Sequence, residues 1–235
     1  MSSSKERGKR FIALLNKREK LVGTRIFYML YNLAVSEYIV NRNYQELSSA
    51  MGKYEKNLSI WDVKKRPQLD AFLREFRRLM HNYLSSTYSL IQHTIICRRE
   101  LNRPSLNRVY SLKVKALLTN RCVRFVRDLR TYCQHIKLPL VSAELTFDAR
   151  KIGAEKLKQR ILIEKKELPK WKRWNRLSKK YIGSHKDIEP KAIFSEYQVL
   201  VKDFYKWFYK KVEELYSREL QEFGRIEAEL AKLAP

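Results

Sequence analysis

The 235-residue chain is 44% hydrophobic and 12% aromatic, which excludes a disordered polyelectrolyte and permits a packed core. Fifty Lys and Arg stand against twenty-five Asp and Glu, a net charge of +25, so an anionic partner is expected: nucleic acid first, an anionic membrane surface or acidic protein second. Six Gly and six Pro are too few for a many-turned β fold, and no run of about 18 apolar residues offers a membrane span.

The N-terminal MSSSKERGKRF is basic and lacks the long apolar segment of a secretory leader, so residues 1–10 read as a loose basic arm ahead of a single helical domain over 11–235. Helical spacing first appears from about Phe11 to Val40, through Leu14, Leu15, Leu21, Val22, Ile26, Met29, Leu30 and Leu33. NRNYQELSSAMGKYEKNLSIWDVKKRP interrupts it, with room for one short helix. A second long helix opens after Pro67, carries Phe72, Phe76, Leu79, Met80, Tyr83 and Leu84 on one stripe, and ends near Arg99. A third is expected from Leu106 to Ile136, stopped by Pro139.

The period then changes. VSAELTFDA and KQRILIEKK alternate as two short strands joined by DARKIGAEKL, a β-hairpin within 140–165. LPKWKRWNRLSKKYI reads as a short helix with Trp171 and Trp174 on one side, and GSHKDIEP as a loop. One long aromatic helix closes the chain from Lys191 to Leu233. The expected fold is mainly α, a bundle of long helices with a short hairpin. Cys97, Cys122 and Cys133 show neither CxxC nor Cys/His ligand spacing, so no structural zinc or disulfide framework is expected, and a reducing cytoplasm fits.

The polar residues of the third helix carry chemistry. On a helical projection Arg124, Asp128 and Thr131 lie on nearly the same side as His135, with Phe125, Leu129, Tyr132 and Ile136 roughly 60–120° away. Arg130 falls on the far border of that apolar stripe, so Arg130 and His135 flank the packed seam. Were two copies of this helix to pack together, the border residues of both chains would converge in a polar cleft. There Asp128 would orient the imidazole, His135 would deprotonate a ribose 2′-hydroxyl or protonate a leaving 5′-oxygen, and Arg130 would hold the scissile phosphate. RNA supplies its own nucleophile, so no metal or other cofactor is needed. The alternative reading of the same residues is a solvated helix end with a C-terminal histidine.

The stretch FVRDLRTYCQHIKLPLVS resembles the motif helix of HEPN-type proteins, marked by Arg, four to six residues, then His. It is more closely similar to a group of uncharacterised prokaryotic proteins with a stretch like "flRdLRNYtlHyklPv". HNYLSSTYSLIQHTIICRR, ELPKWKRWNRLSKKYI and VLVKDFYKWFYKKVEELYSREL resemble other parts of that group, so the likeness spans roughly residues 68 to 220. The resemblance implies a helical bundle that dimerises through the motif helix, and an RNA-directed, metal-independent endoribonuclease of a defence or toxin–antitoxin system that leaves a 2′,3′-cyclic phosphate. An antitoxin or other defence-system protein is then an expected partner. It also implies Arg130 as the phosphate-contacting arginine and His135 as general acid/base. Thr131 departs from the Asn, His or Asp usual after the arginine, though a threonine can still donate a hydrogen bond.

Two other function classes fit the residues: a non-catalytic module binding RNA or DNA, and an interaction subunit for an acidic protein. For nucleic acid, the expected contacts are Arg124, Arg127 and Lys137 on the motif helix and Arg74, Arg77 and Arg78 in REFRRLMH. Lys170, Trp171, Lys172, Arg173 and Trp174 interleave cations with stacking rings, which suits single-stranded RNA; the alternative packs both tryptophans onto the bundle and leaves the cations facing water. His81, four residues beyond Arg77 and three beyond Arg78, offers a rival Arg-His pair. His93 reads as a core histidine, and His185 as a loop residue.

Overall fold

The computed structural model describes residues 2–150 and 156–234. The first amphipathic stretch is two helices: α1 (Ser2–Lys20) and α2 (Val22–Lys56), parted at Leu21, whose backbone is extended. Residues 2–10 are therefore helical rather than a loose arm. Arg7 donates to the Leu233 and Ala234 carbonyls and Arg10 meets Glu229 at 3.3 Å, which ties α1 to the end of the chain. The expected interruption after Val40 does not occur. Ile26, Leu33, Val40, Leu47 and Tyr54 recur every seventh residue on one buried stripe, and that burial carries α2 through the polar segment.

α3 (Arg66–Leu101) packs along α2, starts with Pro67 in its first turn and ends at Asn102, whose φ of 46° is left-handed. The expected third helix is also two: α4 (Pro104–Leu117) and α5 (Arg121–His135). The Asn120 side chain accepts from the Val123 amide and starts α5 afresh. The hairpin forms as read: β1 (Val141–Phe147) pairs antiparallel with β2 (Leu157–Ile163), Val141 opposite Ile163 and Phe147 opposite Leu157. Residues 151–155 of its expected connection lie outside the described residues.

A 3₁₀ segment at Lys165–Lys170 leads to α6 (Arg176–Ser184), so Trp171 and Trp174 stand on the connection before the helix rather than on it. The last helix is α7 (Pro190–Leu215) and α8 (Ser217–Leu233), parted at Tyr216, whose hydroxyl donates to the Leu101 carbonyl at 2.7 Å.

One buried cluster runs from α2 through α3, α5 and α7 to the hairpin. Several of its polar groups are paired across elements, although the Tyr54 hydroxyl is buried without a hydrogen bond. The Tyr83 hydroxyl donates to Gln198 at 2.9 Å, and Gln198 donates to Asn41 at 2.6 Å. Trp61 donates to Gln159 at 2.7 Å and anchors β2. Arg160 joins Glu144 on β1 to Asp187 and Glu189 before α7. No described helix is long and apolar enough to cross a membrane.

Gly23 marks the closest approach of α2 to α8: a Cβ there would lie 2.2 Å from the Glu219 carbonyl oxygen and 2.8 Å from Phe223 Cβ. Gly23→Ala is therefore expected to push the helices apart and cost about 1–3 kcal/mol, although alanine is the better helix former. A lower urea midpoint checks this; an unchanged or raised midpoint contradicts it.

Candidate nucleic-acid interface

The Leu129, Phe125, Val126 and Tyr132 side chains of α5 are almost fully buried, packed against α3, α6 and α7 of the same chain. Trp174 completes this face. It stacks on Phe125 at 5.7 Å and Tyr132 at 5.6 Å between ring centres, and its indole N–H donates to the Leu168 carbonyl at 2.6 Å. Three of the four residues of the expected apolar stripe, Phe125, Leu129 and Tyr132, are thus consumed inside one chain, while Ile136 just past the helix end stays exposed. Trp174 is core and is not available to stack on a base. Trp171 is half-buried, with its ring meeting Trp174 edge-on.

Asp128 does not serve His135. One carboxylate oxygen accepts from the Asn175 amide and the Ser178 hydroxyl, both at 2.8 Å, and the other lies 3.8 Å from Arg124 Nε. Asp128 holds the start of α6, where an acid offsets the unpaired amides and the positive end of the helix. Arg124 is its half-buried neighbour and not a free phosphate contact. Thr131 donates to the Arg127 carbonyl at 3.3 Å within its own helix.

Arg130 and His135 diverge. They are separated by roughly 140° of helical rotation. Arg130 turns to α3, its guanidinium carbon 3.4 Å from the Tyr88 ring centre. Burial pulls its pKa below the ordinary arginine value, against the opposing influence of Tyr88. His135 is exposed in the last turn, with no hydrogen-bond or ion-pair partner among the described residues. The chain on its own does not bring the two together.

What α3 and α5 do assemble is a cationic cleft of about 430 Å³, lined by Arg74, Arg77, Arg78, His81, Cys133 and Leu138. REFRRLMH supplies one wall because Phe76, Leu79 and Met80 point into the core and leave the arginines on the rim. Arg78 is held by Glu75 at 2.5 Å. Arg74 and Arg77 have no acidic partner among the described residues, and Arg77 Nε is buried without a hydrogen bond. Cys133 closes the floor; burial raises its thiol pKa to about 12 even though Arg77 pulls the other way.

The remaining expected contacts divide. Lys170 and Lys137 are both drawn to Glu167, at 2.6 and 3.2 Å, and these two lysines hold that carboxyl below its usual range. Lys172 and Arg173 are exposed and unpaired among the described residues. Arg127 is exposed at a separate apolar cavity. His93 meets Ser36 at 2.7 Å between α3 and α2. His185 stacks on Tyr181, with 4.1 Å between ring centres, and its Nδ1 lies 2.8 Å from the Tyr181 carbonyl oxygen. Tyr88 and the cleft walls Cys133 and Leu138 have no signature in the sequence, whereas Asn175 before α6 is a readable cap. Among the described residues no three His, Cys, Asp or Glu side chains converge as a metal site would require. No family model, curated protein or solved structure matches the chain.

Two expectations follow. Asp128→Ala orphans the Asn175 amide and should cost about 1–3 kcal/mol, with faster amide exchange at the start of α6; an unchanged stability would contradict the capping role. Cys97, Cys122 and Cys133 are buried, and burial raises their thiols to about 11, 12 and 12. A thiol reagent at pH 8 should therefore label none of them until urea is added.

Proposed function

We propose that the chain binds RNA through its phosphate backbone, with the cleft between α3 and α5 as the anchoring site. The observation that carries this reading is the pair Arg74 and Arg77. They open onto one concave surface without acidic partners, in a chain of net charge +25. Guanidinium groups hold phosphate oxygens in a forked geometry, and phosphate contacts give affinity without sequence preference. Lys172 and Arg173 extend the cationic surface elsewhere on the chain.

Anisotropy of a labelled single-stranded RNA, titrated across a salt series, tests this. Arg74→Gln and Arg77→Gln should each weaken binding across all sequences and reduce the slope of log K against log salt by about 0.7 per lost phosphate contact. Polyglutamate at equal charge should not compete well. Slopes unchanged in both variants would remove the cleft from the interface, and stronger binding of the polyglutamate would favour an acidic protein partner.

A second reading, the metal-independent endoribonuclease implied by the resemblance to HEPN-type proteins, draws support from His135. It is exposed in the last turn of α5 with no partner among the described residues. In this reading two chains meet across the polar side of α5, where Arg127, Gln134 and His135 stand uncovered. The reaction would then join Arg130 of one chain to His135 of another. RNA incubated with the protein in EDTA should be cut to 2′,3′-cyclic phosphate ends by the wild type and left intact by His135→Ala and Arg130→Ala. Binding without cutting in the wild type leaves the first reading alone.

A further inference from the structure

Beyond the cleft, α3, α4, α5 and α7 line a second, half-open space of about 110 Å³. Ile91, Val114, Leu118, Val123, Leu200 and Phe204 are among its walls. Its lining is mostly apolar, the Tyr110 and Tyr197 hydroxyls being polar groups on it besides Thr94 and Tyr205. Thr94 and Tyr205 satisfy each other at 2.7 Å, and Thr94 also reaches the Leu90 carbonyl at 2.7 Å. The one charged residue on the lining is Arg127, exposed and without a hydrogen-bond or ion-pair partner among the described residues. Burial raises the phenol pKa values of both Tyr110 and Tyr197, and the positive charge of Arg127 is among the opposing influences on each. A shallower groove carrying Lys115 shares Tyr110, Val114 and Leu118 with this space.

We propose that this cavity binds a small apolar monocarboxylate, its tail among the aliphatic and aromatic walls and its carboxylate on Arg127. The size sets the tail: an apolar cavity of comparable volume takes one benzene-sized group, so a chain of about four to six carbons fits. The mostly apolar lining sets its chemistry: a nucleobase or sugar would lose more hydrogen bonds to water on entry than two phenol hydroxyls could return, whereas a hydrocarbon tail loses none. The lone unpaired guanidinium sets the head group, because a carboxylate can take two of its N–H donors at once. This site is separate from the phosphate cleft and does not depend on it.

Hexanoate, hexan-1-ol and hexylammonium have six carbons each and carry an anionic, a neutral and a cationic head group. Titrated into the full-length protein and followed by amide chemical shifts, hexanoate should give saturable changes at Ile91, Val114, Leu118 and Arg127. Hexan-1-ol should bind about ten-fold more weakly, and hexylammonium should not bind at these positions. Arg127→Gln should bring hexanoate down to the level of hexan-1-ol, and Val114→Phe should weaken both by filling the space. The wild-type comparison decides the matter even if the filled variant folds poorly. Equal binding of the three ligands, changes that never saturate, or changes confined to other residues would overturn the proposal.

Discussion

The packing of Trp174 against Phe125 and Tyr132 governs this molecule. These rings, with Tyr181 stacked 4.9 Å from Phe125, seal the apolar face of α5 against the segment that follows the hairpin. Large aromatic surfaces leave water there, and the indole N–H is spent on a backbone carbonyl, so the contact carries no polar penalty. Asp128 fastens the same junction from its polar side. Once α5 is closed in this way, its polar rim and Ile136 beyond its last turn remain outside.

The acidic residues are deployed as fasteners, and this decides where the surplus positive charge is left. Glu229 and Glu227 hold the N-terminal helix, Glu144, Asp187 and Glu189 surround Arg160, and Glu167 gathers two lysines. Exposed pairs of this kind contribute little stability each, but each removes a cation from the pool available to an anion. Among the described residues, Glu75 is the one acid in ion-pair contact with the three arginines of the α3–α5 cleft, with Glu46 acting on Arg78 from farther off. A concave cationic surface over a low-dielectric floor concentrates the field more than the same charges spread over a flat face.

Much of the architecture can be read from period and punctuation. The stripe Phe76, Leu79, Met80, Tyr83, Leu84 gives α3, Pro67 and Asn102 bracket it, and alternation gives both strands of the hairpin. The breaks at Leu21, Leu118–Asn120 and Tyr216 are hidden because the apolar period runs on through them. Each is imposed by a contact with a distant part of the chain or by a single cap, such as the Tyr216 hydroxyl on the Leu101 carbonyl. The extension of α2 past Val40 is hidden for the opposite reason: a polar surface masks a buried seventh-residue repeat. At the site, sequence reasoning finds Arg74, Arg77, Arg78 and His81 as a basic face. It cannot find that Leu138 and Cys133 close that face into a cleft.

The sequence by itself determined that the chain is mainly helical, strongly cationic and able to bury a large aromatic core, since these depend on residue type and period alone. It also placed Arg130 and His135 on opposite borders of the α5 seam, which follows from helical rotation. Tertiary structure decided who covers that seam. Because Trp174 lies far along the chain from Phe125 and Tyr132, no local pattern could show that α5 is sealed by its own chain, that Asp128 caps α6, or that Arg130 rests on Tyr88. Those are long-range contacts, fixed only when separate helices compete for the same apolar surface.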